Sequence, residues 1–200
     1  MKKYFLVLIC LLSLNSFGQS FKAKVDTFRK GYMADFLTDK SSPLNKEDLQ
    51  FLRFYDADST YRVEAKAEIL VNPSPFIMPV FAGTGRQYVA YARLTFTLNG
   101  KVQQLTVYRN LALAKISEYR DYLFLPFTDA TNGKDTYHGG RYIDMHESDF
   151  KTNSVVIDFN RSYNPYCAFS GRYSCPKPPD ENHLDIAVEA GEKLFAGEKK

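Results

Sequence analysis

The sequence contains no tryptophan and only three cysteines among its 200 residues. Its aromatic residues are instead 16 phenylalanines and 14 tyrosines, and such rings favour the half-buried surfaces of β-sheets. The net charge is only +3 and charged residues make up 24% of the chain, which excludes a disordered polyelectrolyte and an electrostatic binder of nucleic acid. The composition is therefore that of a globular protein with enough apolar residues for a core.

The sequence also lacks the short motifs that mark common cofactor and catalytic sites. It has neither a GxGxxG motif nor a lysine-containing phosphate loop, so no nucleotide site is predicted. The GxSxG motif of serine hydrolases is absent. The three histidines stand far apart, without an HxxxH pair or a CxxC motif beside them. We therefore predict neither a metal site nor a cofactor.

The first 18 residues have the pattern of a secretory signal peptide. Two lysines precede an apolar run over residues 4–14, and Ser16 and Gly18 supply the small residues that precede cleavage before Gln19. The run is too short for a transmembrane helix, which needs about 20 residues. We therefore predict export to the periplasm or the extracellular space, without a stable membrane anchor.

Two helical segments are predicted ahead of the first strand. Apolar residues recur at steps of three and four over residues 21–36, which is the spacing of one helix face, and Ser20 can cap that helix. A second, short helix is predicted near Leu44 and Leu49, because Asn45 is a good N-cap residue and the two leucines can pack across the helix start.

The remainder of the chain alternates apolar and polar residues in the manner of β-strands. Seven strands are predicted, over residues 61–71, 88–98, 101–109, 122–127, 137–143, 155–159 and 184–190. Asn99-Gly100 is the favoured pair for a two-residue hairpin turn. Because the turns are short and helices do not alternate with strands, we predict a mainly β domain over residues 19–200. Its antiparallel sheet would roll into a barrel or sandwich, with the helical segment at its N-terminus.

The alternation also predicts which side chains face the core. Val63 and Ile69 occupy the apolar phase of the first strand, and Leu94 and Phe96 occupy that of the second. We expect these four side chains to be buried, while Thr95 lies on the opposite face of its strand.

The segment from Arg161 to His183 has no helical or strand period, and loops of that length are often functional. Cys167 and Cys175 lie within it, and they are the two cysteines that remain after the predicted cleavage. An even cysteine count in an exported chain favours a disulfide. Two alternatives stay open at this point: inert free thiols, and a nucleophilic Cys167 with His183 as its base.

Polar side chains suited to a small ligand are concentrated in the second half of the chain. Arg141 follows Gly139-Gly140, and its planar guanidinium can make two parallel hydrogen bonds to an anionic or carbonyl group. We expect the 161–183 loop to fold over a strand end and complete one pocket. The candidate ligand-binding residues are Arg141, Asp144, Asp158, Asn160, Tyr163, Asn164, Glu181 and Asn182.

Three functions are compatible with these residues, and we favour a small-molecule binding domain. The second is a hydrolase that uses Asp158 and Glu181 as paired carboxylates. The third is a structural or interaction domain without a pocket, in which Arg141 pairs with Asp144 or Asp158 and the asparagines satisfy loop backbone. The sequence does not indicate a protein partner.

Four segments together resemble a known family. They are DFNRSYNPYCAFSGRYSCPKPPDENHLDIAVEAGEKLF, the earlier SPLNKEDLQFLRFYDADSTYRV and LFLPFTDATNGKDTYHGGRYID, and the terminal AGEK. These segments are similar to the bacterial and archaeal domain-of-unknown-function family 1684, over roughly residues 21–195. The resemblance implies neither a reaction nor a cofactor.

Overall fold

The computed structural model describes residues 2–200, and side chains from Ser20 onward. The helix α1 spans Lys2–Thr38, so it continues through Ser20 and the predicted cap at that residue is wrong. Its predicted apolar face is confirmed, because Val25 and Phe36 are buried. The predicted signal peptide lies outside the described side chains and stays a prediction. In the part of the chain that is described, no helix has the length and apolar character needed to cross a membrane.

Within residues 2–200, eight strands follow the helix. They are β1 (Arg62–Ile69), β2 (Phe76–Met78), β3 (Arg86–Leu98), β4 (Lys101–Asn110), β5 (Tyr122–Asp129), β6 (Arg141–His146), β7 (Ser154–Asp158) and β8 (His183–Leu184). The main sheet has the order β6-β5-β4-β3-β1-β7 and is antiparallel, while β2 pairs with β3 and β8 runs parallel to β5.

The sheet curls into a half-barrel around one apolar core. Phe159 follows β7 directly, yet its ring centroid is 5.3 Å from that of Phe127 on β5, although three strands separate β5 from β7 in the sheet. Phe159 is also 5.8 Å from Phe96 on β3. A flat sheet would hold these strands too far apart for such contacts. The predicted mainly β fold with an N-terminal helix is thus confirmed.

Local signals in the sequence correctly predicted two turns. Asn99 and Gly100 have φ angles of 51° and 74°, which is the two-residue hairpin that joins β3 to β4. Asn45 and Asp48 exchange hydrogen bonds between their side chains and backbone amides, at 3.1 and 2.8 Å, and so cap a single 3₁₀ turn over Asp48–Phe51.

The predicted core is confirmed on β3 and only partly on β1. Leu94 and Phe96 are buried, whereas Val63 is half-buried against the core. The expectation for Ile69 is wrong, because this last residue of β1 lies past the edge of the core and is 47% exposed.

Two predicted strands are shorter than expected. The strand predicted over 137–143 begins only at Arg141, because Gly140 has a φ of +87° and its amide donates to the carbonyl of Tyr137 in a turn. Of the residues in the strand predicted over 184–190, only Leu184 belongs to a strand, which is β8. Residues 186–192 continue as an irregular strap, held by the side chain of Arg141 and by isolated backbone hydrogen bonds to neighbouring segments.

The 161–183 loop is irregular as predicted, with short 3₁₀ turns, and it packs on the edge of the sheet. Cys167 and Cys175 form a disulfide with their Cα atoms 6.1 Å apart. This confirms the predicted bridge, and because Cys167 is bonded it has no thiolate to act as a nucleophile.

Candidate functional site

Arg141 is fully buried and binds other parts of the protein. Its Nη2 donates to Asp129 Oδ2 at 2.8 Å and to the carbonyl of Val188 at 2.8 Å, and its Nη1 donates to the carbonyl of Ala190. The guanidinium also lies over the ring of Phe127. The pairing expected with Asp144 or Asp158 is therefore wrong, because Asp129 occupies that role. Arg141 fastens the 186–192 strap to the core, and its side chain is fully buried.

The side chains of Asp158 and Asn160 bind each other and the backbone of a neighbouring turn. Asp158 Oδ1 accepts hydrogen bonds from the amide and the Nδ2 of Asn160, at 3.1 and 2.9 Å. Asn160 in turn exchanges two hydrogen bonds with the backbone of Asp58, at 2.8 and 2.9 Å. The two residues thus fix the turn before β1 against the end of β7.

The side chains of Asn182 and Asn164 likewise make hydrogen bonds to backbone amide and carbonyl groups. Asn182 is fully buried and bonds the amide of Thr106 on β4 and the carbonyl of Pro126 on β5, which joins these two strands. Asn164 donates from Nδ2 to the carbonyl of Lys193 at 2.8 Å. These contacts agree with the third function considered above, in which the asparagines form hydrogen bonds with the backbone of the loop and do not bind a ligand.

Glu181 accepts the hydroxyl hydrogen of Tyr108 on β4 at 2.8 Å. Asp158 belongs to β7, and β3 and β1 lie between β4 and β7 in the sheet. Since no contact among the described residues joins Glu181 to Asp158, the structure gives no support to a pair of carboxylates made from these two.

Asp144 and Tyr163 are the candidates that the structure does bring together. The hydroxyl of Tyr163 donates to Asp144 Oδ1 at 2.5 Å, and the hydroxyl of Tyr122 donates to the same oxygen at 2.7 Å. Asp144 points outward from β6, between the buried Ile143 and Met145. The loop reaches it because Tyr163 pairs through its backbone with Tyr142 on this edge strand.

The two tyrosines that bind Asp144 do so as protonated hydroxyl donors. Burial, together with the negative charge of Asp144, raises the pKa of Tyr122 and of Tyr163 well above the usual value. Both hydroxyls therefore keep their protons at neutral pH and act as donors. Within the described part of the chain, Asp144 Oδ2 accepts no hydrogen bond, so this oxygen is free to bind a ligand.

Asp144 faces a cleft of about 480 Å³ between α1 and the edge of the sheet, which we name the α1–β6 cleft. This volume is within the range of small-molecule sites. Its aromatic walls are Phe28, Tyr32, Phe36, Tyr163 and Tyr166. The other lining residues are Thr27, Gly31, Asp35 and Asp144, so the cleft contains two carboxylates, and none of these lining residues is basic.

A buried glutamate positions the helix that forms one wall of this cleft. Glu192 Oε2 accepts hydrogen bonds from the hydroxyl of Tyr32 on α1, at 2.9 Å, and from the amide of Asn164, at 2.7 Å. Burial raises the pKa of Glu192 to about 7. Gly191 before it has a φ of +77°, and a Cβ there would lie 2.6 Å from the carbonyl oxygen of Phe159, so this position requires glycine.

The sequence did not reveal the contribution of α1 or of Glu192 to the site. The helical period over residues 21–36 predicted the aromatic face of α1, but only as a packing surface. Glu192 lies near the end of the longest segment of the family resemblance, without an assigned role. For metal ions, no three His, Cys, Asp or Glu side chains come together among the residues searched, which are the described ones.

Comparison with known proteins places the chain in a family. Residues 47–193 match the family described as "Protein of unknown function (DUF1684)". The chain belongs to this family.

A solution NMR structure of an uncharacterised protein from Haloarcula marismortui is similar to this DUF1684 protein. The two share 29% sequence identity and superpose with a TM-score of 0.67, over 88% of this chain and 95% of that chain. No curated protein matches the sequence. The comparisons thus support the fold and the family, and they name neither a ligand nor a reaction.

Proposed function

We propose that this DUF1684 protein is an exported binding domain whose α1–β6 cleft takes a small organic cation, such as an amine or a quaternary ammonium compound. The observation that carries the proposal is the lining of the cleft, in which the rings of Tyr32, Phe36, Tyr163 and Tyr166 accompany two carboxylates. The fifth ring, that of Phe28, already has the guanidinium of Arg161 over its face, 4.5 Å from the centroid, which shows that this wall accepts a cation. Aromatic faces attract cations, by about 0.5–2 kcal/mol for each ring, and an anionic ligand would meet repulsion from both carboxylates.

The geometry of the walls suits a cation with apolar substituents. Tyr32 is the centre of the aromatic wall, with its ring centroid 5.0 Å from that of Phe36 and 5.8 Å from that of Tyr163. Asp144 provides a fixed negative charge at one end, because two hydroxyl donors hold its Oδ1. The ligand would therefore meet a preorganised site, which lowers the entropic cost of binding.

Titration calorimetry with tetramethylammonium, choline and 3,3-dimethyl-1-butanol tests the proposal. The last compound is the uncharged carbon analogue of choline, so it separates charge recognition from shape. We expect the two cations to bind and the alcohol to bind at least about tenfold more weakly, because it gains neither the ion pair nor the cation–π contacts.

Asp144→Asn should weaken binding of tetramethylammonium by about tenfold, since it removes the fixed charge and keeps the acceptor for the tyrosines. Glu118→Gln is the matched control, because it removes an exposed carboxylate outside the cleft. Equal affinities for choline and its neutral analogue, or unchanged binding by Asp144→Asn, would contradict the proposal.

Two features support the proposed export: the signal-peptide pattern of residues 1–18, and the disulfide in the 161–183 loop, because such bridges persist in oxidising compartments. Intact-mass analysis of the protein from its native host should find a chain that begins at Gln19. A full-length chain retained in the cytoplasm would contradict export.

A further inference from the structure

A second cavity, of about 300 Å³, lies beside the α1–β6 cleft, between the sheet and the disulfide-bonded loop. Six tyrosines line it: Tyr88, Tyr122, Tyr142, Tyr163, Tyr166 and Tyr173. The other lining side chains are apolar apart from one serine, and they include Leu113 and Phe124. We name this cavity the tyrosine compartment.

The tyrosine compartment offers ring faces and few free polar groups. Five of its six tyrosines already donate their hydroxyl hydrogens to other groups of the protein: Tyr122, Tyr142, Tyr163, Tyr166 and Tyr173. The rings of Phe124 and Tyr142 meet edge to face with centroids 4.7 Å apart, and both side chains are buried. Because no charged side chain lines the cavity, it suits an apolar group.

The two cavities share two tyrosine side chains, and Asp144 lines the α1–β6 cleft beside them. Tyr163 and Tyr166 line both of them. Tyr122 and Tyr163, whose hydroxyls hold Asp144, each present their rings to the tyrosine compartment. A ligand whose positive charge lies at Asp144 would therefore have to pass only these shared tyrosines to place an attached group in the tyrosine compartment.

We infer that the tyrosine compartment binds the apolar tail of the same ligand, so that the ligand is an amphiphilic amine or quaternary ammonium compound. This inference rests on the proposed function, because the cationic head at Asp144 determines where the tail begins. The disulfide contributes to the site, since Cys175 lines the compartment and the bridge holds the loop in place as one wall.

The inference is tested with alkyltrimethylammonium ions whose alkyl chains run from methyl to hexyl, used well below their micelle concentrations. Affinity should rise by up to about fourfold for each methylene group that is buried, until the compartment is full. Leu113→Trp, which fills the compartment from a half-buried position, should flatten this rise and leave the affinity for tetramethylammonium unchanged.

Ile116→Trp is the matched control, because it adds the same ring nearby at an exposed residue outside the compartment, and it should keep the full dependence on chain length. Nuclear Overhauser effects between the hexyl protons and the ring of Phe124 provide a direct second measurement that needs no variant.

The outcomes separate the inference from the proposed function. Failure of tetramethylammonium to bind would overturn the proposed function and the inference with it. Binding that does not strengthen with chain length, or hexyl protons that contact only residues outside the tyrosine compartment, would overturn the inference alone. A steep dependence on chain length that survives in Leu113→Trp would place the tail elsewhere and would also overturn it.

Discussion

Arg141 and Asp144 lie three residues apart on β6, and their environments are opposite. The side chain of Arg141 enters the core and binds Asp129 and the 186–192 strap. Asp144 points away from the core, towards two tyrosine hydroxyls and a cleft. Because successive residues of a strand alternate between faces, residues separated by an odd number of positions cannot share a pocket on one face. The pleat of β6 therefore separates a polar side chain that binds the core from one that faces the α1–β6 cleft.

Among the variants that test the difference between the two faces of β6, Arg141→Ala should lower the free energy of unfolding most. Removal of the guanidinium leaves Asp129 buried without its partner and releases the strap, so the free energy of unfolding should fall by about 3–5 kcal/mol. Asp144→Asn should change it by less than about 1 kcal/mol, because Asp144 is exposed. Urea denaturation measures both. A loss below about 1 kcal/mol for Arg141→Ala would contradict its structural role.

The same alternation is tested on β3, where ligand binding plays no part. Leu94→Ala should cost about 2–5 kcal/mol, because Leu94 is fully buried in the half-barrel core. Thr95→Ala, one residue further along and on the opposite face, should cost much less. Equal losses in urea denaturation would show that both faces of β3 are packed.

Glu192 is a buried carboxylate, and it should make the stability of the protein depend on pH. Because its folded pKa of about 7 exceeds the ordinary value of 4.5, its contribution to stability is complete below pH 4.5 and is lost as pH rises through 7. The loss amounts to about 3 kcal/mol. Glu192→Gln should flatten the pH dependence of the unfolding free energy between pH 5 and 8.

Glu189→Gln is the control for that measurement, since Glu189 is exposed on the same strap and should leave the pH dependence unchanged. If Glu192→Gln retains the full pH dependence of the parent protein, Glu192 does not titrate in this range.

A smaller loss of stability than for Arg141 or Glu192 is expected when the disulfide of the 161–183 loop is removed. Replacement of both Cys167 and Cys175 by alanine opens a nine-residue ring, which should lower the free energy of unfolding by about 2.5 kcal/mol. The parent protein, unfolded without reductant, should present no alkylatable thiol at these positions. Two alkylated cysteines in its mass spectrum would contradict the bridge.

Short-range patterns predicted the parts of the fold that depend on neighbouring residues. The Asn99-Gly100 turn, the apolar phase of β3 and the face of α1 each follow from residues a few positions apart. The pair of Arg141 with Asp129 was missed, because several carboxylates were available and only the folded backbone decides among them. Tyr32 and Glu192 meet across 160 positions, and no local pattern indicates such a contact.

The candidate site was predicted only in part for the same reason. Asp144 and Tyr163 were identified as binding residues by their chemistry and are joined by a hydrogen bond. The asparagines were selected on the same grounds, yet Asn160, Asn164 and Asn182 satisfy backbone groups of the loop and the strands. Residue type alone does not separate these roles, because a side-chain amide can donate a hydrogen bond to a ligand or to a backbone carbonyl equally well.

The most direct test of the account is a titration of the ¹⁵N-labelled protein with tetramethylammonium, followed by two-dimensional NMR. The amide shifts of Asp144, Tyr163 and residues 27–36 of α1 should change, while those of Arg141 and the 186–192 strap should stay unchanged. Shift changes centred on Arg141 and the strap, or none at all, would contradict the assignment of the α1–β6 cleft as the ligand site.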